Sequence, residues 1–133
     1  MDRYKLNKLQ VLLKMIKGLV SRGNFLDDLG NFTGAIQYYD KALAIAPNNV
    51  KALNNKGWTL SNLGHNDEAI QYYDKALAVN PNYVDALNNK GISLYLLGKY
   101  EEAIQYYDKI LAIAPNDADA LYNKGLVLDQ LGK

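Results

Sequence analysis

Residues 50–83 read VKALNNKGWTLSNLGHNDEAIQYYDKALAVNPNY, and residues 84–117 read VDALNNKGISLYLLGKYEEAIQYYDKILAIAPND. Laid over each other, they agree at 22 of 34 positions. The three prolines, Pro47, Pro81 and Pro115, fall 34 residues apart each time. The run Ala35-Ile36-Gln37-Tyr38-Tyr39-Asp40-Lys41 returns from Ala69 and again from Ala103. A fixed period of this length means stacked supersecondary units, each too small to bury its apolar face alone.

Within one period the pattern predicts two helices. Leu53, Gly57, Leu60 and Leu63 recur at spacings of three and four, which is one face of a helix over about 50–63. Gly64 then serves as a stop, because glycine enters the left-handed region without a Cβ clash. A second helix is expected from about Asp67, read as its N-cap, with Glu68 in the first turn. Thr33 and Glu101 hold the equivalent starting place. This helix buries Ala69, Ile70, Tyr73, Ala76 and Leu77, and ends before Pro81.

These residues resemble the tetratricopeptide repeat family: a 34-residue period with small residues at Gly57, Ala69 and Ala76, a large one at Tyr73, and Pro81 near the end. The resemblance implies an all-α fold, a superhelix of antiparallel helix pairs. One such solenoid domain is expected over 1–133. It comprises an N-terminal capping helix (1–15), repeats at 16–49, 50–83 and 84–117, and a half repeat at 118–133. The departures are mild: Leu19, Leu53, Leu87 and Leu121 stand where the family favours Trp.

Composition narrows the functional classes. The chain has 15 Lys+Arg against 14 Asp+Glu, a net charge of +1, which argues against a general nucleic-acid or acidic-membrane binder. With no cysteine and one histidine, thiolate or His-rich metal sites and Cys nucleophiles are excluded. The carboxylate pairs Asp27-Asp28, Asp67-Glu68 and Glu101-Glu102 lie near helix ends and read as solvated. No serine has a base in reach, and no Gly-rich phosphate loop occurs. No enzyme, cofactor or metal is expected. The sequon Asn31-Phe32-Thr33 reads as a turn. Without a signal peptide or an apolar span, a cytoplasmic location is expected.

Eleven tyrosines against two Phe and one Trp are unusual. Six of them form Tyr-Tyr pairs on the second helices. The later member (Tyr39, Tyr73, Tyr107) is expected in the core. The earlier one belongs at the seam between repeats, hydroxyl toward water.

The family resemblance implies an inner groove lined by first helices, where many members bind a peptide or a partner's helix. Here that stripe holds Asn24, Asn54, Asn55, Trp58, Asn88, Asn89, Ile92, Tyr95, Tyr122 and Asn123. An Asn amide both donates to and accepts from a peptide backbone, so a row of them suits an extended chain of any sequence. Trp58, Ile92, Tyr95 and Leu96 would anchor side chains. The plainer account is that Asn is a tolerated solvent-facing residue. Members that clamp a chaperone's terminal carboxylate use Lys, Asn, Asn, Lys and Arg where this chain has Val20, Asn24, Asn55, Asp85 and Asn89. All three cations are missing, so such a tail is a poor candidate ligand.

The half repeat raises an alternative. Leu121, Val127, Leu128 and Leu131 would form an apolar edge where a second helix is absent. Either the chain continues into a longer array or this edge makes a homo-oligomer, with the basic N-terminal helix as another route to self-association.

Overall fold

The computed structural model describes residues 1–133 and consists of seven helices. They are α1 (Arg3–Asp28), α2 (Phe32–Ile45), α3 (Val50–Asn62), α4 (Asn66–Val79), α5 (Val84–Leu96), α6 (Tyr100–Ile113) and α7 (Ala118–Gln130). Each packs antiparallel against its successor, and α1, α3, α5 and α7 also touch in turn, forming one layer. The chain is an α–α superhelix of helix pairs.

Local chemistry sets the boundaries. Gly30, Gly64, Gly98 and Gly132 each follow a first helix with φ between 73° and 85°. Asn49 and Asp117 cap α3 and α7 by accepting from the backbone N–H three residues on, at 2.9 Å. The second helices start earlier than the sequence suggested. Asn31, not Thr33, caps α2 by accepting from the Gly34 N–H at 3.0 Å. His65 and Lys99 sit at the other two caps without a side-chain bond. Asp67 therefore lies inside the first turn of α4, where it helps through the helix dipole and not as a cap.

The core runs along the pairs. Ala35, Ala69 and Ala103 are fully buried, as are Ala42, Ala76 and Ile110 at the next crossing. Tyr39, Tyr73 and Tyr107 are at most 1% exposed. Each lies against the glycine of the preceding helix: a Cβ built on Gly57 would stand 2.6 Å from Tyr73 Cε1. Small residues thus set how closely the helices approach, and the tyrosine ring fills the space beside them.

The earlier tyrosine of each pair is half-buried at the seam between repeats, clasped by cations. Lys56 Nζ sits 4.4 Å from the Tyr72 ring centroid on one side and Lys75 Nζ 4.6 Å from it. Lys90 and Lys109 hold Tyr106 in the same way, each at 4.4 Å. Lys56 also pairs with Asp40 at 2.6 Å, and Lys124 with Asp108 at 2.6 Å. Burial alone would lower the ammonium pKa of Lys56, but pairing with Asp40 and contact with Tyr72 outweigh it and raise the net value.

The N-terminal segment is helical and runs without a break into the first helix of the first repeat: it is the first half of a 26-residue α1. Leu9, Val11, Leu13 and Met15 are exposed, because the 14-residue α2 covers only the second half of α1. At the other end, Val127 is 1% exposed and does not belong to an open edge. It sits at the same place in the repeat as Thr59 and Ser93, on the side facing the preceding pair, and packs with Leu94 and Tyr107. Leu131 leans on the same cluster, and Leu128 is half-buried. What stays open is the face around Leu121 and Gly125. Leu121 is 51% exposed, whereas its equivalents Leu53 and Leu87 are at 3% and 2%. A Cβ on Gly125 would meet nothing within 4 Å.

Candidate binding groove

The layer of first helices carries a ladder of asparagines. Asn89 Nδ2 on α5 donates to Asn54 Oδ1 on α3 at 3.1 Å. Asn123 Nδ2 on α7 donates to Asn88 Oδ1 on α5 at 3.0 Å. Between α1 and α3 the rung changes, because Val20 stands where the other helices have Asn54 and Asn88. There Asn55 Nδ2 reaches Asn24 Oδ1 at 2.9 Å, and Asn24 Oδ1 also lies 2.7 Å from the Tyr39 hydroxyl oxygen.

This splits the sequence-predicted asparagines into two groups. Asn54 is 4% exposed and spends its carbonyl on the ladder, so it holds repeats in register and is not an open binding group. Asn88 and Asn24 likewise serve as acceptors within the layer. Asn55, Asn89 and Asn123 each use one N–H for a rung and keep Oδ1 free of any intramolecular donor. Those three carbonyls can take backbone N–H groups from outside.

The apolar groups are also unequal. Trp58 is 43% exposed and Tyr122 67%. Leu96 and Leu126 are exposed as well. Ile92 is half-buried. Tyr95 is half-buried, its ring tilted 47° to that of Tyr100 with centroids 5.6 Å apart, so much of its face is already covered.

Sequence reading missed one buried carboxylate altogether. Asp27 is not a solvated helix-end residue: it is 8% exposed, with both oxygens 2.8 Å from Thr59 Oγ1 and one accepting from the Tyr39 hydroxyl at 2.5 Å. Burial raises its pKa, partly opposed by the bonds from Tyr39 and Thr59 and reinforced by neighbouring Asp28. The cluster joins α1, α2 and α3, and no buried side-chain polar atom in the chain lacks a partner. The only available signal was that the equivalent residues, Ser61, Tyr95 and Asp129, differ in every repeat.

Concavities line the layer. One of about 270 Å³, bounded by Ile16, Lys17, Val20, Asn24 and Lys51 among others, lies between α1 and α3. A smaller one, about 100 Å³, has Asn24, Asp27, Asp28, Asn55 and Trp58 in its walls. No group of three or more His, Cys, Asp or Glu is gathered as metal ligands. No helix is long and apolar enough to cross a membrane.

Tetratricopeptide repeat profiles match residues 15–82, 54–118 and 106–133. The chain belongs to the tetratricopeptide repeat family. Among solved structures it is similar to the first TPR of Spaghetti (RPAP3) bound to the HSP90 peptide SRMEEVD, at 25% identity and TM-score 0.85, covering 90% of this chain and 95% of that one. It also resembles MamA, at 31% identity and TM-score 0.75, covering 83% of this chain and 64% of that one. The Sgt2 TPR domain from Aspergillus fumigatus shares the fold at 24% identity and TM-score 0.83, over 88% of this chain and 79% of that one. No curated protein matches the sequence. TPR domains are typically non-catalytic modules of protein–protein interaction, and the Spaghetti domain was solved with a chaperone peptide.

Proposed function

We propose that this chain is a non-catalytic scaffold that takes an extended segment of a partner protein along the layer formed by α1, α3, α5 and α7. The observation that carries the reading is the free Oδ1 on Asn55, Asn89 and Asn123, one per seam, flanked by exposed Trp58 and Tyr122. Regularly spaced acceptors hold a main chain, and exposed aromatics supply anchors. A chaperone's terminal carboxylate is a poor fit, because Val20, Asp85 and Asn89 replace the three cations that grip it in the members that bind it. Peptide-display selection against the whole chain tests the reading. Selected peptides should bind the wild type and lose about ten-fold or more on Trp58→Ala with Tyr122→Ala, two exposed changes that leave the core intact. Unchanged affinity would refute it.

A second reading rests on the open face of α7. Leu121 is 51% exposed and Gly125 uncovered where every other first helix is roofed by a second one. A helix from a second copy, seated there, would make the protein a self-assembling module. Leu121→Glu should then lower the oligomer mass in light scattering. A wild-type chain that stays monomeric at high concentration would remove this reading.

A further inference from the structure

The four first helices each present one charged residue at the same position of the repeat: Lys17, midway along α1, and Lys51, Asp85 and Asp119, near the N-terminal ends of α3, α5 and α7. All four are exposed, and none takes part in an ion pair within 4.0 Å. That separates them from the lysines one turn further along, Lys56, Lys90 and Lys124, which are tied to Asp40, Asp74 and Asp108. The charges at the seams are therefore satisfied inside the fold, while those on the rim of the layer are left for something outside it.

Their order is not mixed. The two cations stand together at the α1–α3 end, and both line the concavity with Ile16, Val20, Ser21 and Asn24. A neighbouring concavity shares Lys17 and adds Lys14. The two anions stand at the α5–α7 end. At the opposite ends of α1 and α7 the exposed charges are Asp28 and Asp129, with Lys99 and Lys133 in the turns that follow α5 and α7, while Asp27 is occupied by Tyr39 and Thr59. The unpaired cations of the layer that share a pocket, Lys17 and Lys51, thus stand at one corner of it.

We infer that the partner segment is charge-split: an acidic cluster lies over Lys17 and Lys51, and a basic cluster lies over Asp85 and Asp119. This rests on the peptide-binding reading of the layer and deepens it by fixing the ligand's chemistry and its orientation. Moving from the α1–α3 seam to the α5–α7 seam crosses two interhelical steps of roughly 10 Å each. An extended chain at about 3.3 Å per residue covers that distance in about six residues. The ligand therefore carries opposite charges about six residues apart, with apolar or neutral residues between them over Trp58 and Ile92. A uniformly acidic tail would meet Asp85 and Asp119, and a uniformly basic one would meet Lys17 and Lys51. Rejection of both is specificity by repulsion.

The experiment is the same display selection, read for charge pattern in the enriched sequences. Peptides with an acidic and a basic cluster about six residues apart are expected, in either chain direction. One such peptide should bind about ten-fold more tightly than its all-Glu and all-Lys versions at low salt, and the advantage should shrink at high salt. Repeating the selection on Lys17→Glu with Lys51→Glu should remove the acidic cluster from the enriched set and leave the aromatic and aliphatic preferences. A spin label on the peptide's acidic end should broaden the amide signals of Ser21 and Lys51 and spare Asn123. Enriched sequences without a charge split, equal binding of the all-Glu version, or broadening at Asn123 would each overturn the inference while leaving groove binding intact. Failure to enrich any peptide would overturn both readings together.

Discussion

Replacing one glycine by alanine should have opposite effects at two equivalent places. At Gly57 the new methyl would stand 2.6 Å from Tyr73 Cε1, 2.9 Å from Tyr73 Cδ1 and 3.1 Å from the Ala69 carbonyl oxygen. Tyr73 is 1% exposed and cannot swing into solvent, and the carbonyl belongs to the α4 backbone, so α3 and α4 must separate. Overpacking of this kind costs about 1–3 kcal/mol. Alanine's better helix propensity returns up to about 1 kcal/mol. The net expectation for Gly57→Ala is a loss of about 1–2 kcal/mol. Gly125 occupies the same place on α7, mid-helix, with nothing within 4 Å. Only the propensity gain remains there, so Gly125→Ala should stabilise by about 0.5–1 kcal/mol. Urea unfolding followed by far-ultraviolet circular dichroism, with midpoints compared at constant slope, reads both. If Gly57→Ala matched or exceeded wild type, the close crossing would not be what packs the pair. If Gly125→Ala destabilised as much as Gly57→Ala, something must cover α7 in solution, and the open-face description would fail.

The other predictions concern the buried polar groups. Asp27→Ala leaves the Tyr39 and Thr59 hydroxyls without their carboxylate acceptor and should cost about 1–3 kcal/mol. Asp27→Asn keeps an acceptor and removes a charge whose folded pKa is raised above 3.8 by burial. For an acid shifted upward, stability is greatest below the unfolded value and falls as pH rises through the folded one. Asp27→Asn should therefore gain on wild type between pH 3.5 and pH 7 in parallel denaturation curves; a gap that closes with rising pH would contradict this. Asn89→Ala should cost about 1 kcal/mol because buried Asn54 loses its donor, whereas Tyr122→Ala, at an exposed site, should leave the urea midpoint unchanged.

Much of the fold was legible because repetition supplies its own control. Gly23, Gly57 and Gly91 fall at equivalent places, and so do Tyr39, Tyr73 and Tyr107, which fixes the register of each pair without reference to any one residue's propensity. What repetition hid is where a copy differs from its siblings. Asp27 looked like an ordinary helix-end carboxylate because the hydroxyls that bury it come from 12 and 32 residues away. The Asn pairs looked alike along the chain. Only the crossing of α3 and α5 shows that Asn54 points into the layer while Asn89 keeps a free carbonyl. Val127 read as edge because it is apolar in a half repeat, yet burial at that place is decided by the preceding pair, which is present. The caps shifted because Asn31 reaches the Gly34 N–H with its own side chain, a competition that composition does not resolve.

The central claim, that the asparagine-lined layer is where a partner sits, is tested most directly by amide chemical-shift mapping with the tightest selected peptide. The account predicts shifts at Asn55, Trp58, Asn89, Ile92 and Asn123, on α3, α5 and α7. Shifts confined to α2, α4 and α6, or to the face around Leu121 and Gly125, would contradict it.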